Sequence, residues 1–186
     1  LHVALPPVAI ETWMEAMADV HRAGLIRAVG VSNYSVEQMQ RAHNALAKHG
    51  IPLATNQVKF SLIDREPIEN GLLDACRELG ITLIAYSPLG KGILSGKYTP
   101  ENRPGGMRGR RFSPQIFATI APLLAALRDI AELREKTMAQ VAINWCIAKG
   151  TLPIPGAKTG AQARENAGAL GWSLTEDEVG RLDGAL

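Results

Sequence analysis

Short apolar runs that read as buried strands alternate along this 186-residue sequence with longer stretches whose apolar residues recur at helical spacing. Such alternation marks an α/β protein, because parallel strands need a crossover between them and the crossover is usually a helix. Residues 11–23 set Trp13, Met14, Met17 and Val20 at helical intervals and stop before Gly24. A strand is expected over 26–31, and Ser35 stands as the N-cap of a helix through Val36, Met39, Ala42 and Leu46 that ends at Gly50. The next strand is expected over 53–58, and Pro67 and Gly80 frame a helix containing Leu72, Leu73, Cys76 and Leu79. Residues 81–86, Ile-Thr-Leu-Ile-Ala-Tyr, form the clearest strand, nearly continuous in apolar character as a strand buried on both faces requires. A Gly-, Pro- and Arg-rich loop is expected from 87 to 113, most polar over 103–111. Loops of that length in a compact domain are functional or disordered. Helices over 115–133 and 138–148, a strand over 152–155, and helices over 161–170 and 175–186 complete the chain. The last opens on Ser173-Leu-Thr-Glu-Asp-Glu178, with a capping residue and an acidic first turn.

Composition narrows the classes of function. The charge balance, 20 Lys+Arg against 18 Asp+Glu, leaves a net +2 with no basic block carrying interleaved aromatics, so a nucleic-acid surface is not expected. The apolar runs are too short for a transmembrane span. Two cysteines, Cys76 and Cys146, fall inside helical segments without a redox or metal spacing, which points to buried reduced thiols and a cytoplasmic setting. His21, His43 and His49 fall on helices, not at metal-ligand spacing on strand ends, and read as surface residues with no metal role. The sequence opens on Leu1 with no initiator methionine and no cleavable signal ahead of it, so it is expected to be the rear part of a longer polypeptide.

Polar and glycine-rich motifs follow each strand: Gly30-Val-Ser-Asn33, Asn56-Gln57, Tyr86-Ser-Pro-Leu-Gly90, and Ile154-Pro-Gly-Ala-Lys158 continuing to Arg164-Glu-Asn166. In order and spacing these four resemble the aldo-keto reductase family, and the resemblance covers nearly the whole chain. It implies a TIM (β/α)8 barrel, of which residues 1–186 supply about the C-terminal half, strands five to eight with a C-terminal helix, as one partial domain. A barrel of this kind uses eight strand–helix units and carries its site at the C-terminal ends of the strands. The unit occurs about four times here. The implied activity is NADPH-dependent reduction of a small aldehyde or ketone by hydride transfer, with NADH a less favoured cofactor.

Residue by residue, the resemblance assigns Ser32, Asn33 and Gln57 to the nicotinamide carboxamide, which needs donors and acceptors together. Ser32 and Asn33 equally suit capping of the next helix. Tyr86 would stack its ring on the nicotinamide, and otherwise reads as a core tyrosine. Ser87, Pro88, Leu89, Gly90, Lys91 and Lys97 belong to a loop like the family's belt over the pyrophosphate, whose glycines let backbone N–H groups approach an anion. Gly156, Lys158 and Gln162 match the region of the adenosine 2′-phosphate at a helix start, and Glu165 and Asn166 match residues at the adenine. Many family members have lysine where this chain has Gly156; Lys158 is expected to take over the anion. Of the family's catalytic Asp, Tyr, Lys and His, only His2 has a counterpart, as the residue that orients the carbonyl. The residues that usually follow that histidine are replaced by Val3 and Ala4. Tyr34 and Tyr98 do not match the catalytic tyrosine.

A half barrel exposes two sheet edges, beside 27–31 and 152–155, which the missing N-terminal half or a second chain would cover. The alternative to a reductase is a non-catalytic dinucleotide-binding or regulatory module that lacks the acid and its tuning partners.

Overall fold

The computed structural model describes residues 1–3, 7–106, 109 and 112–186. Ala4 and, in the basic loop, Met107, Arg108, Arg110 and Arg111 lie outside the described residues. The chain divides into two compact units, Leu1–Lys59 with Glu66–Ala85, and Phe60–Arg65 with Tyr86–Leu186.

The first unit runs α1 (Ile10–Arg22), β1 (Val29–Ser32), α2 (Val36–Ala47), β2 (Leu53–Lys59), α3 (Glu66–Glu69), α4 (Leu72–Glu78) and most of β3 (Thr82–Tyr86). Its strands lie side by side in chain order, β1 and β2 in parallel. Val29 sits opposite Leu53 but Gly30 opposite Thr55, so a bulge at this point resets which residues of β2 share a face. Gly30 is required here, because a Cβ would collide with Thr55 Oγ1. Past the bulge Asn56 and Val58 are buried while Thr55 and Gln57 are half-buried and Lys59 exposed. Helix packing accounts for the buried side: Met14, Met39, Leu46 and Cys76 are all fully enclosed. Ser35 caps α2 as its sequence predicts, its hydroxyl accepting from Gln38 N–H while Gln38 Oε1 accepts from Ser35 N–H.

The second unit holds a 3-10 turn (Gly90–Ser95), α5 (Pro114–Thr119), α6 (Ala121–Leu133), α7 (Met138–Ala148), β4 (Leu152–Ile154), α8 (Gly160–Ala167) and α9 (Glu176–Asp183). Helix α7 is its centre: Val141 to Cys146 are six consecutive buried residues, the signature of a helix surrounded on all sides. Trp145 stacks on Phe60 with ring centroids 5.2 Å apart. The C-terminal helix α9 is tied down by charge. Asp183 accepts from Trp145 Nε1 at 2.9 Å and Lys149 Nζ at 2.6 Å, and the Arg65 guanidinium donates to the last carbonyls, Leu182 O and Asp183 O.

Several predicted boundaries need correcting. The first strand begins at Val29 instead of 26 and includes Ser32, so Ser32 closes the strand where the sequence placed it just beyond. The helix expected between Pro67 and Gly80 is two, α3 and α4, parted at Gly71 in the left-handed conformation (φ 76°). Residues 115–133 likewise break at Ile120, one residue before the turn in which Pro122 starts α6 without needing an N–H partner. The last two helices are shorter at their C-terminal ends than their patterns suggest. Within the loop expected from 87 to 113, Ile93 and Leu94 are fully buried in the 3-10 turn.

Candidate functional site

At the end of β1 the carbonyl of Gln57 gathers the chain. It accepts from Ser32 Oγ at 2.8 Å and from Asn33 N–H at 2.9 Å, while the Asn33 side-chain amide donates to Ser32 Oγ at 3.0 Å. Turning the Asn33 peptide back to Gln57 takes that residue to φ 58°, a left-handed conformation that asparagine tolerates better than most. Ser32 is buried and Asn33 exposed. Capping of α2 belongs to Ser35, so neither Ser32 nor Asn33 is needed for it. The Asn56-Gln57 pair divides its labour by strand alternation. Asn56, fully buried, donates to Tyr34 O at 3.0 Å and holds the loop after β1. The Gln57 side-chain amide points from the other, half-exposed face and has no hydrogen-bond partner among the described residues. Leu1 donates its amino group to Gly30 O at 2.7 Å, and His2, the next residue, is exposed.

The second unit begins its share of candidates at Tyr86, half-buried at the end of β3, where its carbonyl accepts from Phe60 N–H. Ser87 (φ 57°), Gly90 (54°), Lys91 (60°) and Gly92 (99°) are all left-handed, a concentration of backbone strain at a strand end of the kind found at ligand clamps. Sequence reasoning expects the glycine N–H groups to face an anion. The N–H groups of Gly90 and Gly92 instead donate to Ser87 O and Leu89 O, within the turn itself. Glycine suits these positions chiefly because both are left-handed, Gly90 at φ 54° and Gly96 at 74°; a Cβ there would also press on the movable side-chain ends of Ile63, 2.6 Å away at Cδ1, and of Met138. Pro88 is buried and Leu89 half-buried under this turn, whereas Lys91 and Lys97 are exposed, Lys97 Nζ lying 4.7 Å from the Tyr98 ring centroid. Tyr98 in turn packs on Phe112 with ring centroids 5.7 Å apart, an aromatic contact between the middle of the loop and its C-terminal end.

After β4 the chain runs exposed through Gly156 and Lys158 to α8. Nothing lies within 4 Å of a Cβ built on Gly156. Packing therefore leaves room for a lysine at this position. Lys158 N–H donates to Gln162 Oε1 at 2.7 Å, Thr159 Oγ1 accepts from Gln162 N–H at 3.2 Å, and Asn166 Nδ2 reaches Gly156 O at 3.4 Å. Thr159 is the cap that sequence reasoning missed, although Thr159 followed by Gln162 is a legible capping pattern. Glu165 is exposed and Asn166 half-buried. His49 is half-buried, its Nε2 lying 2.7 Å from the exposed Glu15 of α1. His43 is half-buried, with Nδ1 enclosed. Among the described residues no group of His, Cys, Asp and Glu could hold a metal.

Ser32 and Asn33 thus stand at the end of β1, Gln57 near the end of β2, Tyr86 and Ser87 at the end of β3, and Gly156 and Lys158 just past β4. The Aldo/keto reductase family model matches residues 1–186. The chain belongs to the aldo-keto reductase family. Among curated relatives, the chloroplastic pyridoxal reductase of Arabidopsis thaliana is 48% identical over 169 residues, which is 91% of this chain and 46% of that protein. The aldo-keto reductase str7 of Strobilurus tenacellus is 37% identical, over 96% of this chain and 54% of its own length. Among solved structures, a glycerol dehydrogenase of Gluconobacter oxydans superposes with a TM-score of 0.90 at 26% identity, covering 99% of this chain and 56% of that one. The chain therefore spans about half the length of the curated relatives it matches. As an aldo-keto reductase it is an α/β protein of TIM-barrel class, here part of a barrel, and it falls within a family of oxidoreductases. Among the described residues no helix is long and apolar enough to cross a membrane.

Proposed function

We propose that this chain is the cofactor-binding part, a single partial domain over residues 1–186, of an NADPH-dependent reductase of aldehydes or ketones. The observation that carries the reading is the position of Ser32, Asn33, Gln57, Tyr86, Ser87 and Gly156–Lys158 at strand ends, where barrels of this class bind their ligands. The residues suit a dinucleotide. Gln57 offers an amide that has no other partner among the described residues, as a carboxamide needs. Lys91 and Lys97 offer exposed cations beside a strained turn for a pyrophosphate, and the capped start of α8 with Lys158 suits a 2′-phosphate. That last pairing favours NADPH over NADH. When bound, the nicotinamide supplies hydride to a carbonyl carbon; the residues here bind and orient it, and His2 would orient the carbonyl.

Pyridoxal, the aldehyde in the name of the Arabidopsis relative, is the first substrate to try. The remaining barrel strands, from an N-terminal half or from a second chain, would cover the edges of β1 and β4 and supply the proton donor. The free buried thiols fit a reducing compartment, and the cytoplasm is the proposed location, although the Arabidopsis relative is named chloroplastic. The test uses the polypeptide at its full natural length: NADPH quenching of protein fluorescence should saturate, and NADPH absorbance should fall with pyridoxal or nitrobenzaldehyde. Saturable binding without turnover of any carbonyl in a broad panel would overturn the reductase reading.

A further inference from the structure

Helix α8 carries Gln162, Glu165 and Asn166 yet buries none of its own residues. Helices in globular proteins are held chiefly by an apolar face, and α8 has none to offer. Polar contacts from α7 hold it instead. Gln140 Nε2 donates to Glu165 O at 2.9 Å, while Gln140 Oε1 accepts from Thr137 N–H at 3.0 Å and completes the capping box that begins α7. Asn144, buried one turn further along, donates to Ala169 O and Trp172 O and accepts from Leu174 N–H, which fixes the segment beyond α8. Gly168 leaves the space that the Gln140 amide fills, since a Cβ there would collide with Nε2.

We propose that Gln140 is a positioning residue for the adenosine end of the dinucleotide. One amide links the fixed start of α7 to the last turn of α8, and so sets where Gln162, Glu165 and Asn166 stand. The inference rests on the cofactor reading above and goes beyond it, because Gln140 matches none of the family motifs in this sequence and is not itself placed against the ligand. Gln140 is half-buried, so its replacement is not a lesion of the core.

In the full-length polypeptide, Gln140→Glu keeps an acceptor for Thr137 N–H and removes the donor to Glu165 O. It should raise KM and Kd for NADPH about tenfold, the scale of one lost hydrogen bond. The kcat at saturating NADPH should stay within about twofold, and the Kd of 2′-phospho-ADP-ribose, which lacks the nicotinamide, should rise by the same factor as that of NADPH. Gly168→Ala displaces the amide by another route and should reproduce this pattern, which decides the matter if Gln140→Glu does not fold. Thr137→Val weakens the cap of α7 without touching the link to Glu165, and should lower Tm while leaving both nucleotide constants unchanged. Unchanged constants in Gln140→Glu and Gly168→Ala overturn the inference, as does the same loss in Thr137→Val. Failure of the wild-type protein to bind NADPH is a separate result that overturns the cofactor reading and takes this inference with it.

Discussion

Glu178 shows how one side chain serves two structures. Its carboxylate accepts from Arg134 Nε and Nη2 at 2.7 and 2.8 Å, and also from Thr175 N–H at the start of α9. The Arg134 hydrogen bond is the main reason its pKa is held at about 2 against an ordinary 4.5. The stabilisation is therefore complete above about pH 4.5 and is lost as the pH falls toward 2. Glu178→Gln should destabilise the protein by about 1 kcal/mol at pH 7 and flatten the acid limb of the stability curve, as urea denaturation at pH 7 and pH 3 would show. The cysteines carry the opposite lesson. Burial pushes the Cys76 thiol up to about 11 and Cys146 up to about 12, so neither supplies thiolate at neutral pH. Ellman's reagent should leave both unmodified in the native protein at pH 8 and titrate both in guanidinium; rapid native labelling would contradict their enclosure.

At the scale of the element, the turn after β3 and the approach to α8 look alike in sequence, since both pair glycine with lysine, but their glycines have different physical reasons. Gly90 is left-handed and pressed against Ile63, and Gly90→Ala should cost about 1–3 kcal/mol, measured by thermal denaturation. Gly156 stands in open space and not in the left-handed region, so Gly156→Lys should change stability by less than about 0.5 kcal/mol. In the full-length protein it should tighten NADPH more than NADH, as a second cation beside Lys158 requires; equal effects on both would place the 2′-phosphate elsewhere. Helix existence was legible from periodicity and caps, as Ser35 and the Ser173–Glu178 opening show. Where helices break was not, because Gly71 and Pro122 interrupt runs whose apolar spacing continues across them.

At the scale of the whole molecule, β4 leaves Leu152 and Ile154 at 52% and 44% exposure, two aliphatic side chains on one face of one strand. A flat apolar strand in that state invites pairing. The 186-residue chain expressed by itself should therefore self-associate, whereas a polypeptide of the length of its relatives should be monodisperse in light scattering; a monodisperse monomer of the short chain would contradict the expectation. The alternation of strands and helices, the strand-end motifs and the buried thiols were all determined by sequence, because periodicity, caps and turn residues act over a few neighbours. The tertiary structure alone decided that Asn56 serves the fold while Gln57 faces outward, that the Gly90 and Gly92 N–H groups close their own turn, and that Gln140 carries α8. Those outcomes depend on which side of a bulged strand a residue takes and on contacts between residues tens of positions apart, and local spacing records neither.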